Sequence, residues 1–258
     1  MRTARPLKRG TRVPSCVPLD VSTNGFLVGG ALTRPVGAAA FPECKDWLVW
    51  QLIDSAFPTG GFAHSSGLEA ARQHGEVSNR DELILFLDAG LEQLGHAALP
   101  FVAAAFDSPG NLAEFDSLCD AFMTNHVANR ASRLQGKAFL TAVGRLFKCE
   151  MRNAKCELQF AHFAPVFGAC LRRLEIPREL AMRMFFFNHF RGVLAAAVRL
   201  NMIGPMEAQL LQQKISPKAE MILKKCEALS LDDITQTAPL IDLWQGAQDR
   251  LYSRLFQS

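Results

Sequence analysis

Asp54-Ser-Ala-Phe-Pro-Thr-Gly-Gly-Phe-Ala-His-Ser-Ser-Gly-Leu-Glu-Ala-Ala71 is the stretch on which the reading of this chain turns. It follows an apolar run, Trp47-Leu-Val-Trp-Gln-Leu-Ile53, whose spacing suits a helix. Pro58 disfavours helical geometry at Phe57, and Gly60-Gly61 permit backbone angles that a side chain forbids. A second helical run follows and ends near His74-Gly75. The pattern is a helix, a tight corner and a helix.

Working outward, the same helical period recurs. Asp46 can cap the first run, and Ser78 before Asp81 and Glu82 opens the next helix. That helix carries Leu83, Leu87, Leu91 and Leu94 on one stripe, and Pro100 then breaks or bends the chain. Leu112, Phe115, Cys119, Phe122 and His126 form a face that continues towards Ala131. A further run spans Gln135 to Phe147, and Lys148 to Lys155 reads as a loop. Phe160, Phe163, Phe167, Cys170 and Leu174 make the next stripe, and Pro177 suits a first helical turn. The helix after it turns Met182, Phe186, His189, Val193, Ala197 and Leu200 inward and ends at Gly204-Pro205. Residues 206–228 are helical with an interruption at Pro217, and 229–239 are a polar connection. No alternating strand pattern or internal repeat appears. The expectation is an all-α fold, one compact domain of about eight to ten helices over residues 46–258.

Residues 1–45 differ. Arg2, Arg5, Lys8, Arg9 and Arg12 precede the first acid, Asp20, and prolines are frequent. This segment is expected as a disordered basic extension, with an Arg-rich transit peptide as the alternative. The chain has 258 residues, 49% of them hydrophobic, and a net charge of only +3, which gives no global electrostatic case for nucleic-acid binding. Its seven cysteines are scattered without a CxxC pair, so reduced, buried thiols of a cytoplasmic protein fit better than a zinc site or a disulfide framework. No apolar window is long enough to span a membrane; Met182 to Ile203 is interrupted by Arg183, His189, Arg191 and Arg199.

Catalytic chemistry finds little support. Gln135-Gly136-Lys137-Ala138 lacks the upstream glycine and the hydroxyl of a P-loop. The six histidines form no His-x-x-x-His or Glu-x-x-His pair, and His126 and His189 read as core histidines with backbone partners. His64, after the corner, is expected to be exposed and is the one weak candidate for a metal contact. Ser65-Ser66 beside His64 lacks a nucleophile elbow. What remains suits protein contact. Arg130 and Arg133 stand three apart on a helical flank with Gln135 nearby, and Tyr252, Arg254, Leu255 and Phe256 gather at the chain end. Such an end either docks on its own domain or is ordered by a partner.

Five ordered segments resemble the UreF family of urease accessory proteins: Trp50 to Glu69, Asn129 to Gly136, His162 to Gly168, Ala195 to Leu200 leading into Gly204-Pro205, and Pro239 to Asp242 followed by Ser253 to Phe256. Phe62-Ala-His-Ser65 stands where many bacterial relatives carry a Ser-Tyr-Ser type sequence, which looks like a eukaryotic-type variant. The resemblance implies an all-α homodimer that acts without enzymatic activity of its own. It implies a complex with UreD (UreH in some systems) and the GTPase UreG that delivers nickel to apo-urease. GTP would be bound by UreG, nickel would be handled by the assembly, and no cofactor would be held stably by this chain. The partner-facing candidates are Pro58, Gly60, Gly61, His64 and Glu69 of the corner, Arg130, Arg133 and Gln135 of the flank, and Tyr252, Arg254, Leu255 and Phe256 of the tail. An arginine finger supplied to the GTPase by Arg130 or Arg133 is a further expectation. A helical scaffold or nickel-binding chaperone with a different partner is the other reading.

Overall fold

The stripes spaced at three and four residues become helices throughout. A computed structural model describes residues 45–148 and 158–258. The helices are α1 (Asp46–Ile53), α2 (Leu68–Gln73), α3 (Arg80–Gln93), α4 (Leu99–Asp107), α5 (Leu112–Phe122), α6 (His126–Leu146), α7 (Phe163–Arg173), α8 (Arg178–Arg199), α9 (Pro205–Cys226) and α10 (Pro239–Ala247). Among the described residues there is no strand, and Cys44–Ser258 gathers as one compact unit. The expected N-terminal extension and the 148–155 loop lie outside the described residues, apart from Lys45 and Lys148. Lys45 is tied to the fold through Glu175, at 2.8 Å.

At the centre, α7 is buried along almost its whole length and packs against α4 and α6. Two glycines permit this approach. A Cβ on Gly168 would stand 2.1 Å from the Val102 carbonyl oxygen, and one on Gly136 would stand 2.0 Å from that of Ala161. Phe139, Phe163, Phe167 and Phe185 meet there with ring centroids 5.3–6.0 Å apart. The start of α7 is fixed by Asp116 of α5, whose buried carboxylate accepts from the backbone N–H groups of Phe160, Ala161 and His162. His162 is fully buried between Ser132 Oγ, at 3.1 Å, and Asp120 Oδ1, at 3.0 Å. This Ser–His–Asp set is a staple: Ser132 Oγ also accepts from the Phe163 N–H, and the ring faces no solvent.

Several local expectations shift for physical reasons. Asn79, not Ser78, caps α3, because its side chain accepts from the Glu82 N–H while Glu82 returns the bond. Pro100 does not break the chain. It sits at the start of α4, where no helical N–H is required, and a π-helical stretch (Leu94–Ala98) joins α3 to α4. The face running from Leu112 towards Ala131 belongs to two helices, since Asn125 caps a new one with bonds from Val127 and Ala128. Phe160 precedes α7 rather than joining it. Pro217 lies inside an unbroken α9 with its ring on the exposed side.

Gly168→Ala drives a methyl into the Val102 carbonyl and is expected to destabilise the fold by about 2 kcal/mol or more. Gly192→Ala, in α8, meets nothing within 4 Å. It should stabilise by about 0.5–1 kcal/mol by removing a helical glycine. Urea denaturation of the two variants checks the difference in sign.

Candidate partner interface

The corner and the chain end form one structure. After α1, Thr59 and the glycines turn the chain, and Gly60 takes a φ of 73° ahead of the 3-10 turn at Gly61–Ala63. Ser66 and Gly67 then adopt φ values of 55° and 88°, a sharp reversal that aims α2 into the core. A side chain on Gly67 would also meet α10, with the Gln245 N 3.1 Å from its Cβ. Leu68, Glu69, Ala70 and Ala71 are all buried.

The last residues lie along this corner. The Gln257 N–H donates to the Ala63 carbonyl at 2.7 Å, and the Ser65 N–H donates to the Ser258 backbone oxygen at 2.5 Å. Ser65 Oγ reaches the same oxygen at 2.9 Å, and His64 Nδ1 hydrogen-bonds Ser258 Oγ at 2.7 Å. Glu69 holds the strap from below. Its carboxylate accepts from the Leu255 N–H (2.6 Å), the Phe256 N–H (3.0 Å) and Gln248 Nε2 (2.6 Å). Phe256 is only 4% exposed. The Arg199 guanidinium stacks over its ring at 4.2 Å and donates to the Phe62 carbonyl. Of the two fates expected of the tail, the structure shows docking on its own domain.

Asp249 ties the flank of α6 to this region. It pairs with Arg130 through two bonds of 2.8 and 3.0 Å, with Arg254 at 3.0 Å and with His126 at 3.3 Å. These hydrogen bonds, Arg130 foremost, hold the Asp249 carboxyl below its usual range. Gln135 Oε1 borders Gly61. Arg133 is placed apart, over the Phe160 ring at 5.2 Å. The structure thus brings together His64, Glu69, Arg130, Arg254 and Phe256, with Tyr252 and Leu255 exposed on the same strap, and Pro58 is exposed in the corner. It does not bring Arg133 there. Arg130, an expected finger, is already engaged by Asp249.

Three histidine expectations change. His64 is buried, because Ser258 closes over it, and burial together with the Arg130 charge lowers its pKa to about 4. His126 is exposed and pairs with Asp249 rather than with backbone. His189 makes no hydrogen bond among the described residues. It is half-buried and lines a cavity of about 360 Å³ together with His64, Phe57, Phe86 and Asp242. Burial lowers its pKa to about 4 and raises that of Asp242. Among the described residues no three His, Cys, Asp or Glu side chains stand together as metal ligands, and His64 Nδ1 is taken by Ser258. No described helix is long and apolar enough to cross a membrane. Ser65, Arg199, Gln248, Asp249 and Ser258 were not singled out as contact residues by the sequence. Ser65 and Arg199 lie in quoted segments, whereas Gln248 and Asp249 carry no local signal.

The fold and this site define a helical protein whose chain end is clamped to a glycine-rich corner. Comparison with known proteins places the chain in a family. The UreF family model matches residues 77–216. "Urease accessory protein F" of Oryza sativa subsp. indica is 38% identical over 233 residues, covering 86% of this chain and 89% of the relative. The protein of the same name from Arabidopsis thaliana is 38% identical over 235 residues, covering 87% and 98%. An "Uncharacterized urease accessory protein UreF-like" of Schizosaccharomyces pombe is 30% identical over 224 residues, covering 80% and 94%. The chain belongs to the UreF family of urease accessory proteins.

The clamp is sensitive to acid. An unfolded His64 takes up its proton near pH 6.5, the folded one only near 4. Between those values the unfolded state binds more protons, so stability falls as pH drops through the window. His189 acts in the same direction. Between about pH 7.5 and about pH 4.5, His64→Gln should lose about 2.5 kcal/mol less stability than the parent chain. Urea midpoints at the two pH values measure this, and equal losses would contradict it.

Proposed function

We propose that this protein is a non-enzymatic adaptor of urease maturation. It joins a UreD/UreH-like protein and a UreG-like GTPase in the complex that supplies nickel to apo-urease. GTP is bound by the GTPase, and nickel is handled by the assembly rather than stored in this chain. The protein works as a homodimer.

The observation that carries this reading is the strap on the corner. Phe256 is buried and the strap backbone is bonded on both sides, yet Tyr252 is fully exposed, and Leu255 and Phe62 are 52% and 73% exposed. Apolar and aromatic side chains held out from a fixed backbone lose little entropy on docking and are favoured at the energetic centre of protein interfaces. The Arg130–Asp249–Arg254 cluster borders them with charge. By the family resemblance, this tail is the segment expected to meet the UreD-like partner. Arg130 stays a structural member of the cluster rather than a finger for the GTPase.

Deleting the tail is a poor test, because it would leave Glu69 buried without its donors. Substitution of the exposed side chains avoids that. Tyr252→Ala combined with Leu255→Ala in the full chain should weaken UreD binding at least about tenfold with an unchanged unfolding midpoint. Binding is read by titration against separately purified UreD-like and UreG-like proteins. A folded parent chain that binds neither overturns the adaptor reading. Undiminished affinity of the double variant overturns the role of the tail.

A further inference from the structure

The adaptor role leaves the cavity beside the strap without a task. It holds about 360 Å³, more than twice the roughly 150 Å³ of an apolar cavity that takes benzene. Much of its wall is aromatic: Phe57 of the corner, Phe86 of α3, Phe101 of α4 and Phe185 of α8 all line it. His64 and Ser258 line it under the strap, and it reaches the surface beside Ala195 and Arg199 of α8, both exposed. The stretch Leu94–Ala98 borders the same space through Leu94, Ala97 and Ala98, and this stretch is π-helical. Such turns are rare inside helices and concentrate at functional sites.

Two polar groups in the wall have no partner of their own. His189 makes no hydrogen bond among the described residues. The Asp242 carboxylate accepts none there either, and only the backbone oxygen of Asp242 is bonded, by Asn125. The two residues converge on Gly90 of α3. A Cβ on Gly90 would stand 3.4 Å from His189 Nε2 and 3.9 Å from Cδ1 of Ile241, the neighbour of Asp242. Burial keeps the His189 ring neutral at pH 7, so one of its nitrogens is an acceptor, and an ionised carboxylate can only accept. Both groups therefore call for a donor from an occupant. Formal charges around the space cancel, Asp54 and Asp242 against Arg191 and Arg199. An ionic occupant of either sign would meet its like charge. A metal ion would find no three ligating side chains together among the described residues.

We propose that this cavity is a binding site for a small neutral aromatic molecule of one or two rings that carries an N–H or O–H donor. The rings lie among the phenylalanines, where face and edge contacts favour them, and the donor meets the wall at His189 and Asp242. An apolar lining with a few convergent polar groups is the usual build of a small-molecule pocket, and this volume lies in the usual range.

The test uses the full chain without partner proteins, so its failure leaves the adaptor reading untouched. The probes are indole, which carries a donor, and N-methylindole, which presents the same rings without one. In titration calorimetry at pH 7 the parent chain should bind one indole with a Kd below about 200 μM, and N-methylindole at least about tenfold more weakly. Gly192 lines the cavity one turn from His189, and nothing stands within 4 Å of where its Cβ would be. Gly192→Leu should fill that space and weaken indole at least about tenfold without lowering the unfolding midpoint. His189→Leu should cut the preference for indole over N-methylindole to below about threefold while N-methylindole still binds. A parent chain that binds no indole up to about 2 mM overturns the site. Parent-like affinity in Gly192→Leu overturns its location, and equal affinities of the parent chain for the two probes overturn the need for a donor. An unchanged preference in His189→Leu overturns the part given to His189.

Discussion

A buried carboxylate without a cationic partner among the described residues governs this structure. Glu69 is 2% exposed on a helix of only six residues. Such a charge is tolerated only where donors surround it. Two of its donors are consecutive backbone N–H groups of the strap, and the third is the buried Gln248. α2 is too short to hold itself by helix formation alone. It is held by burial of Leu68, Ala70 and Ala71 and by the strap above it. The chain end, nearly two hundred positions away in sequence, is therefore a structural requirement of the corner.

The rest of the region follows from that requirement. For the strap to reach Glu69, α10 must pass close to Gly67, and only a residue without a side chain allows it. The left-handed backbone at Ser66 is strain that the Ser65–Ser258 bonds offset. Arg199 at the end of α8 closes the far side over Phe256 and the Phe62 carbonyl. The same contacts fix the backbone from which Tyr252 and Leu255 project. On the proposed adaptor reading, this sets the contact residues before a partner arrives.

How much of this could be read beforehand depended on the range of the interaction. The helices were legible because their signal is local: apolar residues at three and four, caps, and prolines at helix starts. The corner was legible from Pro58 and Gly60-Gly61, and Glu69 and Phe256 stood in recognisable segments. Their contact with each other was not, since nothing near either residue encodes the other. The same holds for Asp249, which gathers Arg130, His126 and Arg254 from separate elements. His64 looked exposed because its cover comes from Ser258. His126 looked buried because the stripe from Leu112 was followed through Asn125, where one helix ends and another begins. Pro100 and Pro217 looked like breaks because sequence position alone does not show that one sits at a helix start and the other on an outer face.

The central claim is that the Glu69 carboxylate holds the chain end in the folded monomer. Amide hydrogen exchange at Leu255 and Phe256, in the full chain and in Glu69→Ala, tests it most directly. The account predicts protection of both amides by at least about a hundredfold in the parent chain and its loss in the variant, with the amides of α7 still protected. Exchange of Leu255 and Phe256 at free-peptide rates in the parent chain would contradict it.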